Sequence, residues 1–360
     1  MKVLFIIRGN DSYSSQQAQI ELIAGLIQQK VSIHLIGEVS EEVQTEIKKK
    51  GIPFTPLFPR KKYDKVYAEK LKEFINHHQI DILHFLDGMA LRSGLINLKN
   101  HPVKIIVYFG SVSLHWYDPS SYLTYLNARV DKIICNSNFV FEHVKNQLKP
   151  KYKHKAVRVF KGYNPSWFQN IVAKDVSEFG IPKNATIVTL IGNHRKVKGI
   201  QYFIKSSFYL DSKEDIHFLV IGNKTNSESF KQLVSKSPIA KNIHLLGKRN
   251  DAVSILKSSD IYCQTSLSEG FGRAISEAMS VGKPVIMTNA GGCTELIDDS
   301  SGIVVPLKDC KAIGESISKL ANNNSLRTEM GENAKKRIES VYHIDETVKD
   351  TFQVYKQILD

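Results

Sequence analysis

Two carboxylates with seven residues between them, Glu269 and Glu277, stand in the stretch Ser266-Leu267-Ser268-Glu269-Gly270-Phe271-Gly272-Arg273-Ala274-Ile275-Ser276-Glu277-Ala278-Met279. The stretch follows an apolar run at Asp260 to Gln264 and reads as a loop that leaves a strand and opens a helix. Gly270 and Gly272 let the backbone approach a ligand closely. The helix N-terminus offers free N–H groups and a positive dipole end, which suits a phosphate. Two carboxylates there can accept hydrogen bonds from sugar hydroxyls. A plainer reading stands beside this one. Glu277 lies four residues after Arg273, the spacing of an ordinary helix-surface pair, and Glu269 could simply support the helix N-terminus.

The elements that must hold this stretch alternate along the whole chain. Val3 to Ile7, Val31 to Ile36, Asp81 to Leu86, Val103 to Phe109 and Lys132 to Cys135 are continuous apolar runs, the pattern of parallel strands covered on both faces. Between them, Gln16 to Gln28 and the segment with Tyr67, Leu71, Phe74 and Ile75 repeat at helical spacing. The first strand ends in a polar loop, Arg8-Gly9-Asn10-Asp11-Ser12. Near residue 165 the texture breaks at Gly162-Tyr163-Asn164-Pro165-Ser166, with a second turn at Gly180-Ile181-Pro182. A linker is expected between these turns. After it the alternation restarts, with strands at Thr186–Ile191, Ile216–Ile221, Ile243–Leu246, Asp260–Gln264, Pro284–Met287 and Gly302–Val305. Two helical stretches, Leu326–Val341 and Asp345–Leu359, close the chain. The expectation is α/β: two Rossmann-like, doubly wound domains facing a cleft, at 1–164 and 165–344, with 345–360 packing back on the first. In open α/β sheets ligands bind beyond the carboxyl ends of the strands.

Composition narrows the classes. With 360 residues, 42% hydrophobic and 24% charged, the chain is long enough for two cores and too apolar for disorder. The net charge of +13 favours polyanions. Part of it is local, in Lys145, Lys149, Lys151, Lys153, Lys155, Arg158 and Lys161 and in Arg60-Lys61-Lys62; a solvated lysine-rich face is the plain alternative. Nucleic-acid binding lacks any interleaved basic–aromatic motif. The four cysteines form no C-x-x-C pair, which points to buried thiols in a reducing compartment. The N-terminal apolar run is too short for a signal peptide and no segment has the roughly 18 apolar residues of a membrane span. The expected location is cytoplasmic, with a peripheral place at the inner membrane face kept open.

Glu269 and Glu277, with the flanking Glu-Gly-Phe-Gly and Glu-Ala-Met, resemble the E-x7-E motif of the family 4 retaining glycosyltransferases. Gly282-Lys283-Pro284-Val285-Ile286, Gly291-Gly292-Cys293-Thr294-Glu295 and Gly302-Ile303-Val304-Val305-Pro306 match in order and spacing. The resemblance covers the second half almost completely. It implies the GT-B fold and transfer of a hexose or N-acetylhexosamine from a nucleotide-diphosphate sugar, with retention and without metal. By the same resemblance, Glu277 binds ribose hydroxyls, Glu269 lies by the transferred sugar, and the backbone of Gly270-Phe271-Gly272 meets sugar or phosphate. Lys198 and an Arg clamp the pyrophosphate. The family's Arg follows a strand-end Gly directly, but Gly192 is followed by Asn193, so Arg195 is the substitute. Asn193, Gly9 and Lys248 complete the donor-side candidates.

The first half departs further. One glycine, Gly9, stands where the family often has two, and no His follows Val107-Tyr108-Phe109-Gly110-Ser111. His115 could replace that His or pack beside Trp116. No D-x-D pair occurs, which agrees with a site that holds no metal and needs no cofactor beyond the nucleotide sugar, UDP-sugar first. The expected partners are that donor, a saccharide or lipid-linked acceptor and an anionic membrane surface, not nucleic acid, in cell-surface polysaccharide or lipopolysaccharide synthesis. A GT-B nucleotide-sugar epimerase and an inactive binding or regulatory subunit are the alternatives.

Overall fold

The computed structural model describes residues 1–9, 13–211 and 215–360. Asn10, Asp11 and Ser12 of the polar loop expected after the first strand lie outside them. The chain divides into two compact units, 1–162 with 344–360, and 163–343.

The first unit runs β1 (Lys2–Gly9), α1 (Tyr13–Gln28), β2 (Ser32–Val39), α2 (Glu41–Lys49), β3 (Phe54–Thr55), α3 (Lys65–His78), β4 (Ile82–Phe85), α4 (Gly88–Gly94), β5 (Lys104–Phe109), β6 (Lys132–Cys135), α5 (Asn138–Gln147) and β7 (Ala156–Arg158). The strands form one sheet in the order β3-β2-β1-β4-β5-β6-β7, every pairing parallel. β1 shows why a continuous apolar run is required. Val3, Phe5 and Ile7 pack with Ile20, Ile23 and Leu26 of α1. Leu4 and Ile6 face the other way and pack with Leu71 and Ile75 of α3, as the period of two dictates. Helix starts are capped locally. Ser40, Asp64 and Ser137 each accept a hydrogen bond from the backbone N–H three residues on.

The second unit runs β8 (Thr186–Ile191), α6 (Ile200–Ser206), β9 (Ile216–Ile221), α7 (Glu228–Val234), β10 (Ile243–Gly247), α8 (Ala252–Ser258), β11 (Ile261–Gln264), α9 (Arg273–Ser280), β12 (Val285–Thr288), β13 (Gly302–Val305), α10 (Cys310–Ala321) and α11 (Asn324–Ser340). Its sheet is also parallel, in the order β10-β9-β8-β11-β12-β13. Strand order reverses between β1 and β4 in one sheet and between β8 and β11 in the other. Each reversal opens a crevice at the carboxyl ends of the two strands.

The last helix, α12 (Ile344–Leu359), belongs to the first unit. Val348, Val354 and Tyr355 join the same apolar layer as α1. The two helices approach closely because α1 has Gly25 at the crossing: a Cβ there would lie 2.5 Å from Val348 Cγ2. Under the helix, the Tyr355 hydroxyl lies 2.6 Å from Nδ1 of buried His84 on β4.

Three expectations are corrected. The boundary falls between Gly162 and Tyr163, because Tyr163 N donates to Tyr342 O within the second unit. Residues 163–180 are not a free linker. Lys257 on α8 donates to the carbonyls of Phe168, Gln169 and Ile171, Lys174 N donates to Ser254 O, and Ser258 Oγ donates to Lys174 O. This segment is a strap docked on α8. Nor is the lysine-rich stretch uniformly solvated, since Lys155 is buried and donates to the carbonyls of Ala128 and Val130.

All four cysteines are free, and Cys135, Cys263 and Cys293 are buried. Burial pushes the Cys135 and Cys293 thiols up to about 12, so they stay protonated at neutral pH.

Candidate functional site

β8 and β11 are neighbours at the switch point of the second sheet, so the loops that leave them are forced together. The β8 loop carries Asn193, Arg195 and Lys198, and the β11 loop carries Glu269 and the Gly270-Phe271-Gly272 turn. Leu267 N donates to Val197 O at 2.7 Å, and Thr265 Oγ1 donates to Gly199 O at 3.0 Å. These bonds fix one loop against the other. Gly199 has φ +62°, and a Cβ there would stand 1.9 Å from Thr265 O. Only glycine allows both the left-handed turn and the contact.

The consequence is an ion pair. Lys198 Nζ lies 2.5 Å from Glu269 Oε2, with each side chain 18% exposed. Glu269 is also pinned through its backbone, whose N–H donates to Ala290 O at 2.8 Å. A polar ladder runs behind the carboxylate. Tyr262 OH donates to Gln264 Oε1 at 2.5 Å, Gln264 Nε2 to Ser266 Oγ at 2.7 Å, and Ser266 Oγ reaches Glu269 Oε2 at 3.5 Å. Burial, then the nearby Glu269 and Glu277 charges, hold the Tyr262 phenol far above its ordinary range, so it remains a donor.

After the turn comes α9. The Phe271 side chain is buried edge-on against Tyr342 with centroids 5.7 Å apart, which leaves its backbone for binding. Glu277 is only 5% exposed. Arg273 Nη1 lies 3.6 Å from its Oε1, so the pair foreseen at four-residue spacing exists. Its carboxylate is nonetheless a buried one, not part of a solvated face.

The other candidates are spread more widely. Asn193 and Arg195 share the Lys198 loop and are exposed. Asn193 Oδ1 accepts from Asn223 N at 2.8 Å, which ties the loop to the one after β9. Lys248 follows edge strand β10 and lines an open hollow with Arg249, Asn250 and Asp251. It starts two strands from β8, about 10 Å across the sheet. In the first unit, Gly9 ends β1, and a Cβ there would press on Gln16 at 3.0 Å. His115, in the loop after β5, stacks on Tyr117 at 5.0 Å and 10° and meets His143 edge-on at 5.8 Å. Among the described residues no cluster of three or more His, Cys, Asp or Glu could hold a metal ion.

Residue reading alone passed over Tyr262, Gln264 and Ser266. The signal was present as polar residues at every second position of an otherwise apolar strand.

Two doubly wound parallel sheets in one chain, with cationic and acidic side chains gathered at a switch point, make up the GT-B plan of a large class of sugar transferases. The model of the family described as Glycosyl transferases group 1 matches residues 172–337, and that described as Glycosyltransferase Family 4 matches 18–164. The chain belongs to the family 4 glycosyltransferases and is a glycosyltransferase. It is 24% identical over 311 residues to the N-acetyl-alpha-D-glucosaminyl L-malate synthase of Bacillus anthracis, covering 84% of this chain and 81% of that one. It is 31% identical over 149 residues to the N,N'-diacetylbacillosaminyl-diphospho-undecaprenol alpha-1,3-N-acetylgalactosaminyltransferase of Campylobacter jejuni, covering 41% and 39%. Its structure is similar to that of Anabaena HepE in complex with UDP and glucose, with a TM-score of 0.82 at 15% identity over 99% of this chain and 100% of that one.

Proposed function

We propose that the chain moves a hexose or N-acetylhexosamine from a nucleoside-diphosphate sugar, UDP-sugar first, to a saccharide or lipid-linked saccharide. The transfer retains the anomeric configuration, uses no metal ion and serves cell-surface polysaccharide or lipopolysaccharide synthesis. The observation that carries this reading is the Lys198–Glu269 pair at the β8/β11 switch point, directly ahead of α9 and its buried Glu277.

Each group has work in that reaction. The Lys198 ammonium, joined by Arg195, stabilises charge as the diphosphate leaves. Backbone N–H groups at the start of α9 face phosphate. Glu269 orients a hydroxyl of the transferred sugar, and Glu277 takes the ribose hydroxyls. Asn193 and Lys248 border the nucleotide. The bond from C1 to the diphosphate breaks and a bond from C1 to the acceptor oxygen forms on the same face. The acceptor proton passes to the leaving phosphate oxygen, so no separate base is required. The second unit holds the donor. The first holds the acceptor, with His115 in the loop after β5.

The acceptor class is supported by the Campylobacter relative, whose name gives a diphospho-undecaprenol substrate. The donor class is supported by HepE, which holds UDP and glucose. Among the described residues no helix is long and apolar enough to cross a membrane. The net charge of +13 would bring the chain to an anionic lipid surface from the cytoplasmic side.

The test is calorimetry with UDP, GDP, ADP and CMP and their common sugars, with and without EDTA, followed by NMR of the product's anomeric centre. Selective, EDTA-insensitive binding and a retained anomer are expected. An inverted product, or a folded chain that binds none of the nucleotides, would overturn the proposal.

A further inference from the structure

β11 is covered on both sides, yet it presents polar groups along one of them. Ile261 and Cys263 are wholly buried among apolar neighbours. Tyr262, Gln264 and, one step past the strand, Ser266 occupy the alternate positions and are 0%, 2% and 0% exposed. Burying three polar side chains in a row is costly unless each is satisfied. Here each bonds the next. A shape-matched apolar ladder would pack there at no such cost, so packing alone does not account for the residue types.

The direction of the bonds is informative. The Tyr262 hydroxyl donates to Gln264 Oε1, which leaves the amide Nε2 to donate to Ser266 Oγ. With its lone pair so engaged, the Ser266 hydroxyl has its proton for Glu269 Oε2. Every donor points toward the carboxylate, and chains of this kind polarise one another. A side-chain hydroxyl from β12 holds the ladder's end in place: Thr288 Oγ1 donates to the Ser266 carbonyl at 2.5 Å. Both the ladder and Lys198 converge on Oε2.

We infer that Tyr262, Gln264 and Ser266 are positioning residues for glycosyl transfer: a one-way hydrogen-bond ladder that locks the rotamer of Glu269 and, through the ion pair, the place of the Lys198 ammonium. The inference rests on the glycosyl-transfer reading of this site. The ladder touches neither nucleotide nor acceptor. It acts on the transferred sugar only through Glu269.

The experiment uses the full chain and a panel of UDP-, GDP- and ADP-sugars, scored by release of the nucleoside diphosphate, with the nucleotide's own affinity measured by calorimetry. Gln264→Met conserves volume and cuts the ladder; Tyr262→Phe removes one oxygen and serves if the first variant fails to fold. We expect kcat to fall by about ten-fold or more for Gln264→Met and about three-fold or more for Tyr262→Phe, while nucleotide affinity stays within about two-fold. In a Glu269→Gln background the same changes should do nothing further to kcat, which a merely structural role would not predict. Ladder variants that turn over like the parent, or whose losses multiply in full with that of Glu269→Gln, overturn the ladder and leave the transferase reading intact. A parent chain that binds and cleaves no nucleotide sugar removes that reading, and the ladder's role with it.

Discussion

Lys198 and Glu269 lie 71 residues apart in the chain, and their side chains meet at 2.5 Å. The pair is partly wet, with each side chain 18% exposed, so its own contribution to stability is modest. Its value lies in placement. Lysine carries a flexible stem with several rotatable bonds, and the carboxylate holds that stem in one position before a ligand arrives.

Replacing Lys198 should therefore cost activity far more than stability. Lys198→Ala is expected to lower kcat by about a hundred-fold or more while moving the unfolding free energy by about 1 kcal/mol or less. Initial rates and urea melts on the same preparation measure both. Lys198→Arg keeps the charge without the geometry and should recover only part of the rate.

Glu277 reports on the nucleotide. A buried carboxylate taking hydroxyl hydrogen bonds contributes about 2 kcal/mol to binding, so Glu277→Ala should weaken nucleoside diphosphate affinity some thirty-fold. Calorimetry with the nucleotide alone isolates this effect from chemistry. An unchanged affinity would remove Glu277 from the ribose.

Gly199 is a backbone test. With φ at +62° and Thr265 O only 1.9 Å from the place a Cβ would occupy, Gly199→Ala must break either the turn or the loop-to-loop contact. The left-handed strain alone costs about 1–2 kcal/mol, and the collision adds to it. A fall of at least about 2 kcal/mol in stability is expected, with loss of turnover, read by urea melts and initial rates.

His84 gives the first unit a pH dependence of known sign. Burial pushes its imidazole down to about 3 from an ordinary 6.5. Between those values the unfolded chain binds a proton that the folded chain refuses, so stability is fully present above about 6.5 and is lost as the pH falls. The slope is about 1.4 kcal/mol per pH unit, or about 2 kcal/mol by pH 5. His84→Phe should flatten the melting profile between pH 7 and 5 by that difference, after a fixed cost for the Tyr355 hydroxyl it strands.

Long covered strands were legible from residue types. Thr186–Ile191 and Ile216–Ile221 are found where continuous apolar runs predict them, because both strands are buried along almost their whole length and such strands are mostly apolar on both faces. β3 and β7 escaped, since edges of two and three residues are too short to show any period. The strap at 163–180 was misread for another reason. Its prolines and glycines do mark turns, but turn chemistry records where the backbone bends, not what it docks against, and the Lys257 ammonium that holds it arrives from 86 to 89 residues away. In the site, Glu269 and Glu277 stood out by type and spacing, and Lys198 entered through the family resemblance. Arg195 and Lys248 rest on the same reading, and local sequence does not tell an exposed loop cation from the surrounding lysine surplus.

The return of α12 to the first unit has a consequence for synthesis. The second unit, 163–343, lies wholly between the two pieces of the first. At ordinary translation speeds its 181 residues take about 10–40 s to emerge. During that interval the face of the first sheet that Val348, Val354 and Tyr355 will cover stays bare, with His84 lacking its hydroxyl partner. The domain begun first on the ribosome is thus completed last, and a nascent chain stalled before Ile344 would be the form most in need of a chaperone.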